Sequence, residues 1–138
     1  MKIEEKIVRK LMYDNDAFSQ WLGIEIISVE KGAVELSMTV REEMTNGFDI
    51  AHGGIAFSLA DSALAFSSNT HGIQSVTVET TTSFIKAINT GDRIHARSKE
   101  IQLSGKFGRY LIEMHNQNGV LVAVFYGTVF RTGKSWIV

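Results

Sequence analysis

The chain has 138 residues, a net charge of −1, and neither cysteine nor proline. This length suits one domain, residues 1–138, with its own core, and the balanced charge predicts no nucleic-acid partner and no attraction to an anionic membrane. The missing cysteines exclude disulfides, thiolate metal sites and cysteine nucleophiles together. Because the first 20 residues contain no apolar run, we expect no signal peptide and a cytoplasmic protein.

The N-terminal segment, residues 1–22, has the pattern of short helical structure. Between residues 3 and 13 the apolar side chains fall on one face and the charged side chains on the other, which predicts an amphipathic surface helix. Phe18, Trp21 and Leu22 are expected to pack against the chain as it turns back.

Two strands are predicted next, at residues 24–31 and 33–40, with a turn at Lys31-Gly32. In the second of them Val34, Leu36 and Met38 alternate with polar residues, which is the period of a half-buried strand. A loop follows and leads to the most distinctive part of the chain.

That part is residues 46–72, a glycine-bearing loop followed by a helix of small and apolar residues. From Gly54 to Phe66 apolar side chains fall on every side, so we expect a helix buried within the protein. It is too short to cross a bilayer, which needs about 20 mostly apolar residues. Asn69 to Gly72 has the composition of a helix end, with Gly72 suited to the left-handed position after the cap.

Four further strands are predicted after the helix, because β-branched and alternating residues dominate the rest of the chain. They are separated by turns at residues 89–92, 104–108 and 116–119, and the tail, residues 132–138, has no assigned structure. The predicted strands are residues 76–85, 93–99, 109–116 and 120–131.

The order helix, two strands, buried helix, four strands indicates an α+β fold with one antiparallel sheet curled around the long central helix. A single sheet leaves one side of such a helix uncovered. We therefore expect a second copy of the chain to cover it and form a homodimer.

The strongest chemical signal is Asp61, the one carboxylate in the apolar helix. An unpaired charge in a dry interior costs several kcal/mol, so this side chain is expected to reach water, a partner or a ligand. Gly53 and Gly54, at the start of the helix, present backbone N–H groups without a side chain in the way. Asp61 and Gly53 are eight residues apart, about 12 Å along a helix, so a two-fold interface is needed to bring one to the other.

A thioester carbonyl at such a junction would meet suitable chemistry from each side. The N–H groups of Gly53 and Gly54 would stabilise the negative charge that develops on its oxygen. Asp61 would attack the carbon or remove a proton from water. Asn46 would orient the water or hold the carbonyl, and His52 would anchor the loop or contact the substrate. No metal and no separate cofactor are expected.

These residues form a recognisable signature. The run Asn46-Gly47, His52-Gly53-Gly54 and Leu59-Ala60-Asp61 resembles that of hotdog-fold acyl-CoA thioesterases, in particular the phenylacetic-acid-degradation (PaaI) subfamily. The resemblance extends from about residue 20 through Val76-Thr77-Val78-Glu79, Ser83-Phe84-Ile85-Lys86, Gly91-Asp92-Arg93-Ile94, Asn118-Gly119, Val122-Ala123 and Tyr126-Gly127-Thr128.

The resemblance implies a five- or six-stranded sheet around one helix, a homotetramer built from dimers, and hydrolysis of a CoA thioester, with CoA as part of the substrate. Carried over residue by residue, Asp61 is the nucleophile or general base, Gly53 the oxyanion donor, and Asn46 and His52 pocket residues. Thr77 is expected to come from the partner's strand. Ala87 departs from the pattern, since many relatives have proline there, and this bears on the local strand end.

The substrate-binding residues are less sharply indicated. CoA phosphates require cations and backbone N–H groups, for which the candidates are Lys86, Arg93, Lys106 and Arg109, together with the Ser104-Gly105 turn. Phe57 and other apolar residues nearby suit the lining of an acyl pocket, and they accommodate an aryl-acetyl group or a medium-chain fatty acyl group equally.

Two other functions compete with hydrolysis. A hotdog dehydratase acting on a 3-hydroxyacyl thioester would need a histidine loop followed by prolines, and the chain has no proline. A non-catalytic module that binds acyl-CoA or serves as a dimerising scaffold would gain nothing from a buried carboxylate. The alternative to a catalytic role is a structural one, in which Asp61 is a core carboxylate hydrogen-bonded to Ser58, Ser62 or Asn69.

Overall fold

The computed structural model describes residues 1–136, so the last two residues of the unassigned tail, 137 and 138, lie outside the described residues. The N-terminal segment is helical, as predicted. It is not one continuous α-helix, because α1 (Ile3–Lys6) continues as a π-helix (Ile7–Met12) and a 3-10 turn (Tyr13–Asn15) before α2 (Ala17–Leu22) begins. Ile7 and Val8 are fully buried and attach this segment to the core.

Asp16 explains where α2 begins. Its carboxylate accepts hydrogen bonds from the Ser19 N–H at 3.0 Å and the Ser19 hydroxyl at 2.6 Å, which satisfies an otherwise unpaired amide of the first turn. The Ser19 hydroxyl also lies 2.8 Å from that of Ser62. This contact joins α2 to the central helix.

The described strands form one six-stranded antiparallel sheet in the order β1-β2-β4-β5-β6-β3. β1 and β3 are therefore its two edges. All four strands after the helix are longer than the alternation predicted: β3 begins three residues before 76, β4 extends four beyond 99, β5 begins two before 109, and β6 extends four beyond 131 into the tail. The strands are β1 (Glu25–Glu30), β2 (Ala33–Thr39), β3 (Ile73–Phe84), β4 (Arg93–Leu103), β5 (Phe107–His115) and β6 (Leu121–Ser135).

The central helix, α3 (Gly53–Asn69), lies against the concave side of the sheet. Leu59, Ala60 and Leu64 are fully buried there. Gly127 of β6 allows the close approach, because a Cβ at that position would lie 2.5 Å from a methyl carbon of Leu64. The predicted architecture, one antiparallel sheet curled around a long helix, is confirmed.

The end of α3 is tied to the strand that follows it. The Asn69 side chain accepts the Ser75 N–H at 2.9 Å and donates to the Ser75 carbonyl at 3.2 Å. Gly72 has a left-handed φ of 86°, as predicted, but it lies two residues after the C-cap Thr70. The chain then turns back, so that β3 runs alongside α3 in the opposite direction.

In the single chain α3 is not buried on every side, as expected of a helix that one sheet covers incompletely. Gly54 and Phe57 are exposed, and Ser58 and Asp61 are half-buried. These positions are three or four residues apart and share one face. The sheet covers the other faces, whereas this one is open in the single chain. No helix among the described residues is long and apolar enough to span a membrane.

Candidate active site

The loop before α3 is held in a fixed shape by Asn46. Its side-chain oxygen accepts hydrogen bonds from the N–H groups of Phe48 at 2.9 Å and Ile50 at 3.4 Å. Within this loop Asp49 has a φ of 60°, a left-handed conformation that costs free energy in a non-glycine residue. The Asn46 oxygen is thus engaged within the loop, and its hydrogen bonds deliver the chain to the start of the helix.

His52 caps α3, and this changes which amides are free. Its Nδ1 atom accepts the Gly54 N–H at 2.9 Å, so the expectation that Gly54 supplies an oxyanion donor is wrong for the described conformation. The Gly53 N–H, by contrast, has no hydrogen-bond acceptor within residues 1–136. A single backbone donor, at the positive end of the helix dipole, therefore remains available to a ligand.

A cavity of about 290 Å³ opens at this helix start. It brings together four residues predicted for the site, Asn46, His52, Gly53 and Lys86. Apolar side chains complete it; the sequence pattern did not indicate that they line a pocket, although two of them lie in the Ser83-Phe84-Ile85-Lys86 motif. They are Ile50, Ala51, Ala56, Phe84, Ile85, Ala87 and Ile88.

Gly53 has a steric role as well. A Cβ at this position would lie 3.2 Å from the Cζ atom of Phe84, which is a tight contact with the ring that walls the cavity. The glycine therefore lets the end of β3 approach the start of α3. It also keeps the path to its own N–H open.

Asp61 lies further along the same helix and outside this cavity. Thr77 of β3 donates its hydroxyl to the Asp61 carboxylate at 3.2 Å. Burial raises the pKa of Asp61 above its ordinary value, the Thr77 hydrogen bond lowers it, and the negative charge of Asp16 raises it further. The competing assignment of Asp61 to Ser58, Ser62 or Asn69 does not hold, since its hydrogen-bond partner is Thr77.

The expectation that Thr77 reaches the site from a partner's strand is wrong with respect to Asp61. Because β3 runs back along α3 after the turn at Gly72, Thr77 meets the aspartate of its own chain. Within one chain the pair Asp61 and Thr77 therefore lies apart from Gly53 and its cavity. Asp61 and Gly53 are eight positions apart on the helix, which is about 12 Å along its axis.

The remaining predicted residues lie outside the cavity in the single chain. Phe57 packs against Phe125, with ring centroids 5.7 Å apart. Arg109 donates to the Gln102 side chain at 2.7 Å and lies over the Phe107 ring, while Lys106 is exposed in the β4–β5 loop.

The sheet register shows at which end these cations lie. Phe107 pairs with Phe130, which pairs with Val76, the neighbour of Thr77. Lys106 and Arg109 are therefore at the Asp61 end of the sheet and not at the cavity end. Lys86 is the predicted cation that lies beside Gly53.

One antiparallel sheet wrapped around a single long helix is the architecture of the hotdog fold. Residues 48–123 match the sequence profile of the Thioesterase superfamily. The chain belongs to this superfamily and is a thioester hydrolase.

Individual relatives agree with this assignment. The acyl-coenzyme A thioesterase PaaI of Escherichia coli (strain K12) is 39% identical over 122 residues, which cover 88% of this chain and 87% of the relative. The solved structure of the E. coli PaaI protein from the phenylacetic acid degradation operon has a TM-score of 0.92 at 36% identity, covering 97% of this chain and 99% of that one.

A Streptococcus mutans UA159 protein solved with bound acetyl CoA is similar in fold, with a TM-score of 0.79 at 27% identity over 81% of this chain and 90% of that chain. The chain is thus PaaI-like in sequence and in fold, as the sequence resemblance predicted.

Proposed function

We propose that this chain hydrolyses acyl-CoA thioesters, with an aryl-acetyl or medium-chain acyl group, at a site shared by two subunits. The observation that carries the proposal is the separation of two complementary groups on one helix, the unpaired Gly53 N–H and the Asp61 carboxylate. Each is suited to one side of a thioester carbonyl, and about 12 Å lies between them. The names of the relatives support the substrate class.

The edge strand β3 supports a two-fold dimer. Its outward residues Val76 and Val78 are 55% and 56% exposed, and its outer backbone edge has no partner strand among the described residues. Two copies of β3 paired antiparallel about a two-fold axis would set the Thr77 end of one beside the Phe84 end of the other. That arrangement carries each Asp61 towards the opposite helix start.

In the proposed reaction the thioester carbonyl lies between Gly53 of one subunit and Asp61 of the other. The Gly53 N–H donates to its oxygen, and Asp61 takes a proton from water as the hydroxide adds to the carbon. The tetrahedral intermediate then breaks its C–S bond, and the CoA thiolate leaves with that proton. Direct attack by the carboxylate is the alternative: it breaks the C–S bond, expels the CoA thiolate and forms a mixed anhydride, which water hydrolyses in a second step.

The cations are consistent with a shared site. Lys86 lies at the cavity beside Gly53 and has no ion-pair partner in the described part of the chain. Lys106 and Arg109, at the Asp61 end, would come from the other subunit in the proposed dimer. All three would then approach one CoA molecule. A homotetramer of such dimers and a cytoplasmic location are further parts of the proposal.

The direct test is release of free CoA from acetyl-, hexanoyl- and phenylacetyl-CoA by the purified protein. We expect hydrolysis of at least one of them and no requirement for added metal. Binding of these esters without any release of thiol would instead favour the non-catalytic acyl-CoA-binding module.

Sharing of the site is tested by mixing two inactive variants. Asp61→Asn subunits and Gly53→Pro subunits, refolded together in equal amounts, should recover about a quarter of wild-type activity. The reason is that half of the dimers are mixed, and each mixed dimer has one intact site out of two. A mixture that contains hybrid dimers and stays inactive would show that the site lies within one chain.

The pH profile tests the pairing of Thr77 with Asp61. The Thr77 hydrogen bond stabilises the ionised carboxylate and so lowers the pKa of Asp61. Its removal in Thr77→Val should raise that pKa, and the acid limb of kcat/KM should move to higher pH because activity requires the ionised form. The measurement is kcat/KM from pH 4 to 9, with Thr81→Val on the same strand as the matched control. An acid limb that does not move would contradict this pairing.

A further inference from the structure

The N-terminal segment packs on α3 beside the proposed general base. Tyr13 meets Phe66 of α3 edge to face, with ring centroids 6.3 Å apart and planes at 66°. The Ser19 hydroxyl lies 2.8 Å from that of Ser62, the residue that follows Asp61. The two contacts are about one turn apart on α3, so they hold the chain between them along the helix at this point.

Asp16 lies between these two contacts and is held in place by the cap of α2. Its carboxylate accepts the N–H of Ser19 at 3.0 Å and the Ser19 hydroxyl at 2.6 Å. Asp16 is half-buried and Ser19 is buried. A chain of side-chain contacts therefore runs from the Asp16 carboxylate through Ser19 to Ser62 of α3. It fixes the position of this carboxylate relative to the central helix.

No cation neutralises the charge of Asp16. The basic residues nearest to it in the sequence, Arg9 and Lys10, pair instead with Glu5 at 2.6 Å and with Asp14 at 3.8 Å. Asp16 belongs to no ion pair among the residues that the structure describes. A half-buried charge without a counterion acts on its neighbours more strongly than a solvated or neutralised one.

Two side chains act on the Asp61 carboxylate from the elements around it. Burial is the largest influence on the pKa of Asp61 and raises it, the Thr77 hydrogen bond from β3 lowers it, and the charge of Asp16 raises it. The strands behind α3 present buried apolar residues. His71 and Glu100 pair with each other beyond the other end of the helix, at 2.6 Å. Asp16 is thus the charged group that opposes ionisation of Asp61.

We propose that Asp16 is a positioning residue for Asp61, and that its charge, fixed against α3 by the cap of α2, keeps the aspartate an effective proton acceptor. A carboxylate whose ionisation is opposed is a stronger base and removes a proton from water more readily. The proposal rests on the proposed function, in which Asp61 is the general base. It makes the N-terminal segment part of the catalytic machinery, although residue 16 lies outside residues 48–123, which match the superfamily profile.

Asp16→Asn tests the charge without loss of the cap. Asparagine caps a helix about as well as aspartate, so the Tm should stay close to that of the wild type. Without the charge the pKa of Asp61 should fall. The acid limb of kcat/KM, measured from pH 4 to 9, should therefore move to lower pH, and kcat on the plateau should fall because the base is weaker. A purely structural role would lower kcat and Tm together and leave the acid limb in place.

Asp14→Asn is the matched control. Asp14 belongs to the same segment, but it is exposed and pairs with Lys10, so its replacement should not move the acid limb. Thr77→Val should move the limb to higher pH, and the double variant Asp16→Asn/Thr77→Val should lie between the two single variants. An acid limb that stays in place in Asp16→Asn, or that moves equally in Asp14→Asn, would overturn the proposal.

A titration followed by carbon-13 NMR measures the same effect without turnover. The carboxyl signal of Asp61 is assigned by its absence in Asp61→Asn, and it should titrate at lower pH in Asp16→Asn than in the wild type and in Asp14→Asn. If the wild-type protein releases no CoA from any ester, the proposed hydrolysis fails and the positioning role fails with it. If CoA is released but neither the acid limb nor the Asp61 signal responds to Asp16→Asn, the hydrolysis stands and only the role of Asp16 is wrong.

Discussion

Asp61→Asn is expected to lower kcat for thioester hydrolysis by about 10²–10⁴-fold, the usual contribution of a positioned general base. The amide is nearly isosteric and still accepts the Thr77 hydroxyl through its oxygen, but it neither accepts a proton from water nor attacks a carbonyl. Glu79→Gln removes a carboxylate from the neighbouring strand and is the matched control. Its activity should stay close to that of the wild type.

The same substitution should not destabilise the fold at neutral pH. The pKa of Asp61 is raised in the folded protein, so the folded state binds a proton over a pH range in which the unfolded state has lost it. Stability therefore falls as pH rises through the ordinary pKa towards the folded pKa, and the ionised side chain is a cost above that range. Asp61→Asn removes this cost, and its Tm at pH 7 should equal or exceed that of the wild type. Retained hydrolysis, or a clear loss of Tm, would contradict the role given to Asp61.

Gly53→Pro is expected to lower kcat by about 10²–10³-fold, as loss of one oxyanion donor does in other hydrolases. Proline removes the backbone N–H and is well tolerated at the first helical position. The preceding residue suits it too, since His52 has a ψ of 139°, in the extended range that a following proline requires. The substitution therefore deletes the donor and leaves the helix in place.

Gly53→Ala is the matched control for this experiment. It introduces the same contact with Phe84, at 3.2 Å from Cβ to Cζ, but keeps the N–H. Because Phe84 is 60% exposed, its ring has room to move, and Gly53→Ala should retain most of the activity. Both variants are compared by kcat and by Tm. Equal losses in the two variants would assign the effect to the side-chain contact and reject the oxyanion role of the amide.

Much of the fold was predictable, because local patterns act over whole elements. The alternation in Val34, Leu36 and Met38 marked β2, and the apolar run after Gly54 marked α3. Because apolar residues fall on every side of that helix, the pattern also indicated a sheet that curls around it. It did not indicate which face stays open in the single chain, the one at Gly54 and Phe57, since an apolar side chain has the same pattern whether its own sheet or another molecule covers it.

The site was predictable in its main groups and not in their pairing. Asp61 was conspicuous as a carboxylate among apolar residues, and Gly53 as a glycine at a helix start. The partners arise from the three-dimensional course of the chain. The reversal after Gly72 sets Thr77 against Asp61, and the His52 side chain takes the Gly54 amide. Neither contact follows from spacing along the sequence.

The effect of Asp16 on the pKa of Asp61 also does not follow from spacing, because these residues are 45 positions apart in the chain. Asp16 was unremarkable in the sequence, where it belongs to a polar break between two helical stretches. Its negative charge acts on Asp61 through the packing of α2 on α3. An electrostatic effect between residues so far apart in the chain follows from the three-dimensional packing and is not visible in the sequence.

The unpaired edge of β3 also affects the stability of a newly synthesised subunit against aggregation before it forms a dimer. A strand of 12 residues rich in valine and threonine, with unsatisfied hydrogen-bonding groups along one side, invites indiscriminate strand addition and aggregation. Pairing with an identical chain would remove that hazard in the same step that assembles the catalytic centre. Mutations that weaken the pairing would then reduce the yield of intact protein and its turnover together.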